Sequence, residues 1–236
     1  MTLQFKATWL SALLLLGTPA LADTDPLPPF KAVYTTEFDL GISLSGEAVR
    51  ELRRDTDGLW HFSSEASAMM AGIREASSFD YRSGEMIRPL KYDYYRKVLG
   101  KSRSAHIDFD WPAGKATNVV KDKPWKMAIE AGTQDKLSYQ LQMRLDLKAG
   151  EQSMSYQVAD GGKVKTYAFA VTGEEQVETP YGTFNTVRVM RDRGEDADRE
   201  TLIWFAPELD YLIVRLQQTE SDGKTYALLL KNLETP

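Results

Sequence analysis

Two histidines are the whole imidazole inventory of this 236-residue chain, which has no cysteine. One of them opens the run His106-Ile107-Asp108-Phe109-Asp110. Successive side chains of an extended strand point to opposite faces, so His106, Asp108 and Asp110 share one face and offer an imidazole and two carboxylates. That donor set suits zinc or another divalent ion, and the chemistry that follows is metal-assisted hydrolysis. The plainer reading is the solvated side of an amphipathic strand whose other face holds Ile107, Phe109 and Trp111, because a line of ligands needs a further ligand from elsewhere to close a site. His61, between Trp60 and Phe62, either joins such a site, serves as a base, or is simply hydrogen-bonded within a strand.

Other chemistry finds little footing. Serines are plentiful, but no Gly-x-Ser-x-Gly elbow occurs, and a Ser-His-Asp triad would have to recruit His61 or His106. No phosphate-binding or dinucleotide-binding glycine pattern is present. The sequence therefore assigns no catalytic residue and no cofactor. Two charged groups stand out. Glu195, Asp196 and Asp198 form an acidic run without EF-hand spacing, read as a solvated loop. Arg96, Lys97, Lys101 and Arg103 surround Leu99-Gly100, a basic hairpin tip that is either solvated or suited to anionic lipid headgroups. Aromatic residues offer a noncatalytic alternative. Trp60, Tyr92, Tyr94, Trp111 and Trp204, if they face inward on a curled sheet, line either an apolar ligand cavity or an ordinary packed core.

The elements that position these residues are mostly strands. The alternation over Ala105–Pro112 is the clearest, Lys163–Val171 behaves similarly, and Phe184–Met190 and Leu209–Leu216 are rich in β-branched and aromatic residues. Turn signals separate the runs: Asp57-Gly58, Ser83-Gly84, Ala113-Gly114, Asp222-Gly223 and Thr179-Pro180-Tyr181-Gly182. The spacing predicts ten to twelve strands. One segment departs from period two: Leu137, Leu141 and Leu145 recur every four residues, Thr133 or Asp135 stands where a cap is needed, and Gly150 marks a stop. An amphipathic helix over 135–148 is expected.

The N-terminus reads as a processing signal. Lys6, the apolar run through Leu16, the breakers Gly17 and Pro19 and the triplet Ala20-Leu21-Ala22 predict a leader over 1–22, cleaved after Ala22. Its apolar core is shorter than the about 20 residues a membrane-spanning helix needs, so a soluble periplasmic product is expected. Residues 23–29, with three prolines, read as an extended lead-in, and 30–236 as a single domain. A net charge of −5 gives no general attraction for nucleic acid.

The segment Asp135-Lys136-Leu137-Ser138 with Leu141, Arg144 and Leu145, the turn Thr179-Pro180-Tyr181-Gly182-Thr183-Phe184 with Val187 and Val189, and the run Leu202-Ile203-Trp204-Phe205-Ala206-Pro207 with Leu212-Ile213-Val214 together resemble the bacterial family called domain of unknown function 3108. The resemblance covers most of the chain after the leader. It implies an exported β-rich fold and brings no activity, substrate or catalytic residue. At the level of fold, such a chain is also similar to periplasmic lipoprotein carriers, whose curved sheet holds an acyl chain.

The expected architecture is an all-β, mostly antiparallel curved sheet that closes into a barrel or half-barrel capped by one helix, with a two-sheet sandwich as the alternative. Three functions stay open: a noncatalytic binding or carrier module for an apolar or lipid-like ligand, an envelope interaction or assembly factor for a protein or glycan partner, and a metal-assisted hydrolase using His106, Asp108 and Asp110.

Overall fold

A computed structural model of the protein describes residues 27–39, 43–68, 71–121, 123–194 and 199–236. The expected leader with its cleavage point after Ala22, and the acidic run Glu195, Asp196 and Asp198, lie outside the described residues.

Among the described residues, alternating sequences become a single antiparallel sheet of fourteen strands, rolled into a nearly closed barrel. The first half is a continuous meander: β1 (Phe30–Asp39), β2 (Ser43–Arg54), β3 (Trp60–Ala68), β4 (Ala71–Asp80), β5 (Arg88–Val98), β6 (Lys101–Asp110), β7 (Lys115–Val120) and β8 (Lys123–Ala128). The helix α1 (Ser138–Lys148) interrupts it. The second half follows: β9 (Ser153–Asp160), β10 (Lys163–Thr179), β11 (Gly182–Asp192), β12 (Arg199–Ala206), β13 (Leu212–Glu220) and β14 (Thr225–Glu234). The halves join where β1 pairs with β14, from Lys31 opposite Glu234 to Asp39 opposite Thr225. The strand count exceeds the ten to twelve expected because some hairpins lack turn residues. β3 and β4 pair as far as Ala68 with Ala71, and only Met69 and Met70 separate them in sequence.

This arrangement leaves β8 and β9 as the two sheet edges, and α1 with its lead-in connects them. The lead-in also narrows the seam. Gln134 bridges Val158 in parallel fashion: its N–H donates to Gln157 O at 2.7 Å and its carbonyl accepts from Ala159 N at 2.9 Å. An exposed edge is thereby partly covered.

The helix is buried on two sides rather than laid across the barrel mouth with one face in solvent. Leu137 and Leu141 pack into one apolar cluster with Phe30, Trp60, Phe62 and Phe79, joined by the half-buried Leu145. Tyr139, Met143 and Leu147 pack into a second cluster with Tyr156, Phe169, Phe205 and Ile213. A helix apolar on both sides is a plug. The space left between it and the wall near Phe30, Tyr34 and Leu141 is only about 20 Å³. Leu27, in the lead-in expected to be extended, is fully buried in the first cluster.

A helix that starts inside a barrel has free backbone N–H groups with no water to receive them. Asp135 supplies the acceptor. Its Oδ1 accepts from Leu137 N at 2.7 Å and Ser138 N at 2.8 Å, while Ser138 Oγ accepts from Asp135 N at 2.8 Å, a reciprocal pairing of the capping-box kind. Its Oδ2 accepts from Ser77 Oγ at 2.5 Å, which fixes the helix start to β4. At the other end Gly150, at φ +91°, lets Gly150 N reach Leu147 O and Glu151 N reach Asp146 O, the two bonds of a Schellman stop. Between the ends, Arg144 donates from Nε to Asp210 O and from Nη2 to Asp210 Oδ2, both at 2.6 Å. Arg50 donates to Gln140 Oε1, and Tyr156 to Asp146 Oδ2.

Burial pushes the Asp135 carboxyl from 3.8 up to about 6, against the opposing pull of Ser77 and the two amides. A pKa higher in the folded than in the unfolded chain adds stability that is complete below the unfolded value and is lost as pH rises through the folded one. Folding stability is therefore expected to fall by about 3 kcal/mol from this group between pH 3.8 and about 6. Asp135→Asn keeps the capping acceptor but does not titrate, so urea midpoints of the variant should lose that part of the pH dependence. An unchanged profile would contradict the assignment. Met143, fully buried between helix and wall, should cost about 2–5 kcal/mol as Met143→Ala in the same urea series.

Candidate functional site

Strand pairing shows how inner-face side chains change along the barrel axis. On β3 the inner face runs Trp60, Phe62, Ser64, Ala66; on β4 it runs Phe79, Ser77, Glu75, Ile73; on β5, Tyr92, Tyr94, Arg96, Val98; on β6, Phe109, Ile107, Ala105, Arg103, Lys101. Each strand begins with a large buried ring at the helix end and finishes with small, aliphatic or cationic groups at the other. A polar belt separates the two regions. Asp135 and Ser77 sit there, Tyr92 donates to Glu75 Oε1, and Lys136 lies 3.9 Å from Glu75 and 5.3 Å from the Tyr94 ring centroid. Burial first, then the Glu75 carboxylate, drives the Tyr92 pKa upward, so this phenol stays a donor.

Beyond the belt the described side chains do not fill the interior. A groove of about 620 Å³ opens there, lined by Thr36 of β1, Ala66 of β3, Ile73 of β4, Val98 of β5, Leu216 of β13, and Tyr226 and Leu228 of β14. Its size falls in the about 300–1,000 Å³ range of small-ligand sites. Thr36 is 1% exposed and its hydroxyl has no hydrogen-bond partner. Charge sits at the rim: Arg199 and Glu220 pair at 2.9 Å, and Arg96 lines the opposite wall. A side recess of about 370 Å³ shares Arg96 and Val98 with the groove and adds Leu99, Lys101 and Arg103. The β5–β6 turn that carries it is tight, with Leu99 at φ +48° and Gly100 at φ +80°, so Leu99 is held 72% exposed.

The five aromatic residues singled out from sequence come together in one apolar cluster, not in the groove. Trp60, Tyr92 and Trp204 belong to the first apolar cluster, with Tyr94 and Trp111 packed against it. Trp60 stacks on Phe79 at 6.3 Å, Trp111 donates to Pro89 O at 2.7 Å, and Trp204 donates to Glu175 Oε1 at 2.8 Å. None of the five is among the residues lining the groove.

His106 lies on the outer face of β6. Its Nδ1 meets Asp93 Oδ1 at 2.7 Å, from the neighbouring strand, and its Nε2 meets Asp108 Oδ2 at 3.0 Å. Partial burial opposes the cation, but the hydrogen bonds to Asp93 and Asp108 prevail and raise the His106 pKa above the ordinary histidine value. Asp110 points its Oδ1 to the turn, accepting from Ala113 N at 3.1 Å. Among the described residues, no group of three or more histidine, aspartate or glutamate side chains is placed to hold a metal ion. His61, also on the outer face, is bracketed by Ser78 Oγ at 3.0 Å and Asp55 Oδ2 at 3.1 Å.

The groove residues Thr36, Ile73, Leu216 and Leu228 carry no motif. The signal that exposes them is the trend along each strand from ring to small aliphatic on one face, which is visible only once the strands are in register.

The profile of the family described as Protein of unknown function (DUF3108) matches residues 32–230. No curated protein matches this chain. Among solved structures, the crystal structure of a β-barrel-like protein of domain of unknown function DUF1849 from Brucella abortus aligns with a TM-score of 0.60 at 14% identity, over 89% of this chain and 98% of that one. At that identity the likeness establishes the fold alone. A protein of Parabacteroides distasonis ATCC 8503 described as a candidate lipoprotein aligns over 88% of this chain and 95% of that one, with a TM-score of 0.31 at 10% identity, too weak to argue from. No helix among the described residues is long and apolar enough to cross a membrane. With the family profile spanning most of its length, the chain belongs to the DUF3108 family of proteins of unknown function.

Proposed function

We propose that the protein is a noncatalytic periplasmic binding or carrier module that takes an apolar or amphipathic chain into the groove beyond the helix plug. The observation that carries this reading is the axial division of the barrel interior. One end is filled by α1 and aromatic side chains, while the other leaves about 620 Å³ lined by aliphatic groups. Apolar surface kept open to water is unfavourable by roughly 25 cal/mol per Å², and an apolar ligand removes that penalty. The leader expected over residues 1–22 supplies the periplasmic part of the proposal. Both imidazoles stand on the outer face in contact with carboxylates, away from the groove.

Native mass spectrometry of protein purified from periplasm without detergent tests the reading. The expected result is a reproducible added mass that disappears on denaturation. Leu228→Trp, which fills the groove, should reduce that occupancy about tenfold while leaving the melting temperature within a few degrees. A clean mass for the wild-type chain, together with failure to retain any of a panel of long-chain alcohols and acids added back to it, would overturn the proposal.

A further inference from the structure

The basic wall of the groove poses an electrostatic problem. Arg96 on β5 and Arg103 on β6 are direct cross-strand partners on the inner face, and Lys101 follows opposite Val98. Like charges placed directly opposite in a sheet repel and destabilise it. Among the described residues, nearby carboxylates do not relieve the repulsion, for each is already engaged. Glu75 receives the Tyr92 hydroxyl and faces Lys136, Glu220 pairs with Arg199 at 2.9 Å, and Glu65 pairs with Arg74 at 2.8 Å. Among the described residues, the side chains of Arg96, Lys101 and Arg103 form no hydrogen bond and no ion pair. Three cations thus line a recess that opens directly into an aliphatic groove, with Arg96 and Val98 common to both.

We infer that the ligand of this groove is an anionic amphiphile: its apolar chain lies against Ala66, Ile73, Leu216 and Leu228, and its carboxylate or phosphate is held by Arg96, Arg103 and Lys101. This rests on the carrier reading above and specifies its substrate class. Two guanidinium groups a strand apart present planar forks of donors suited to an oxyanion, and a lysine adds a mobile point charge. The anion turns the repulsive pair into a charge-assisted contact, so selectivity for an acidic head is built into the wall rather than into the groove. The exposed Leu99 between Val98 and Lys101 places an apolar tip at the point where such a ligand enters.

The test uses the full chain after leader removal, with 11-(dansylamino)undecanoic acid as probe, its methyl ester as the neutral counterpart, and inorganic phosphate as a competitor. Wild-type protein should bind the acid at least about tenfold more tightly than the ester, with an affinity that falls as salt rises. In the double variant Arg96→Gln/Arg103→Gln, the acid should weaken about tenfold and draw level with the ester, while ester binding is unchanged. Without ligand, that variant should melt no lower than wild type, because a repulsive pair has been removed. Equal binding of acid and ester by wild type would overturn the anionic assignment while leaving the carrier reading standing. Binding of neither probe would overturn both. Displacement of the acid by phosphate at concentrations matching phosphate's own affinity, with no contribution from the undecyl chain, would mean a free-anion site and overturn the amphiphile.

Discussion

An α-helix cannot begin inside an apolar barrel unless its first amides find an acceptor, and in this protein that acceptor is the carboxylate of Asp135. The side chain is fully buried, receives Leu137 N and Ser138 N, and is held by Ser77 of the barrel wall. Much else depends on this group. It sets where α1 starts, and therefore which helix residues meet the first cluster and which meet the second. It also holds the lead-in in place, so that Gln134 reaches the free edge of β9. The cost is a buried carboxyl with an elevated pKa, which the structure tolerates because the alternative is a set of unsatisfied backbone donors.

The same plug defines the functional division. Aromatic rings and the helix fill one end of the barrel; beyond the belt of Ser77, Glu75, Tyr92 and Lys136, the inner-face residues of β3 to β6 become small, aliphatic or cationic. A core packed throughout would have needed large side chains at Ala66, Ala71 and Thr36 as well. Their absence keeps the groove open, and the cations of β5 and β6 give it an electrostatic sign.

Much of the architecture is legible in the sequence, for identifiable reasons. Ile107, Phe109 and Trp111 alternate without interruption, so the strand and its inner face follow from period two alone. Leu137, Leu141 and Leu145 mark the helix, and Asp135 marks its cap. The second apolar face, Tyr139, Met143 and Leu147, has the same spacing but is interleaved with Gln140, Gln142 and Arg144, whose polarity suggests solvent. The structure instead engages Gln140 with Arg50, Gln142 with the Ile87 amide and Arg144 with Asp210. Hairpins joined through residues such as Met69-Met70 carry no turn signature, which explains the uncounted strands. The site was less legible. Ring residues announce an inner face but not which end of a barrel they occupy, so Trp60 and Tyr92 mark the packed end. The partner that Asp93 becomes for His106 depends on the register of β5 against β6, which sequence alone does not specify.

The pairing of β1 with β14 has a consequence for how the chain acquires this fold. Strands β2 to β8 each pair with a sequence neighbour, so the first half can assemble by local hairpins. β1, however, keeps one edge unpaired until a segment about 190 residues later is available, since Phe38 pairs with Tyr226 and Lys31 with Glu234. Contacts this distant in sequence form slowly, and an unpaired strand edge recruits other chains in the meantime. β14 thus closes the centre of the sheet rather than its rim, and until it docks β1 carries an adhesive edge while the folding of the first half can already be complete.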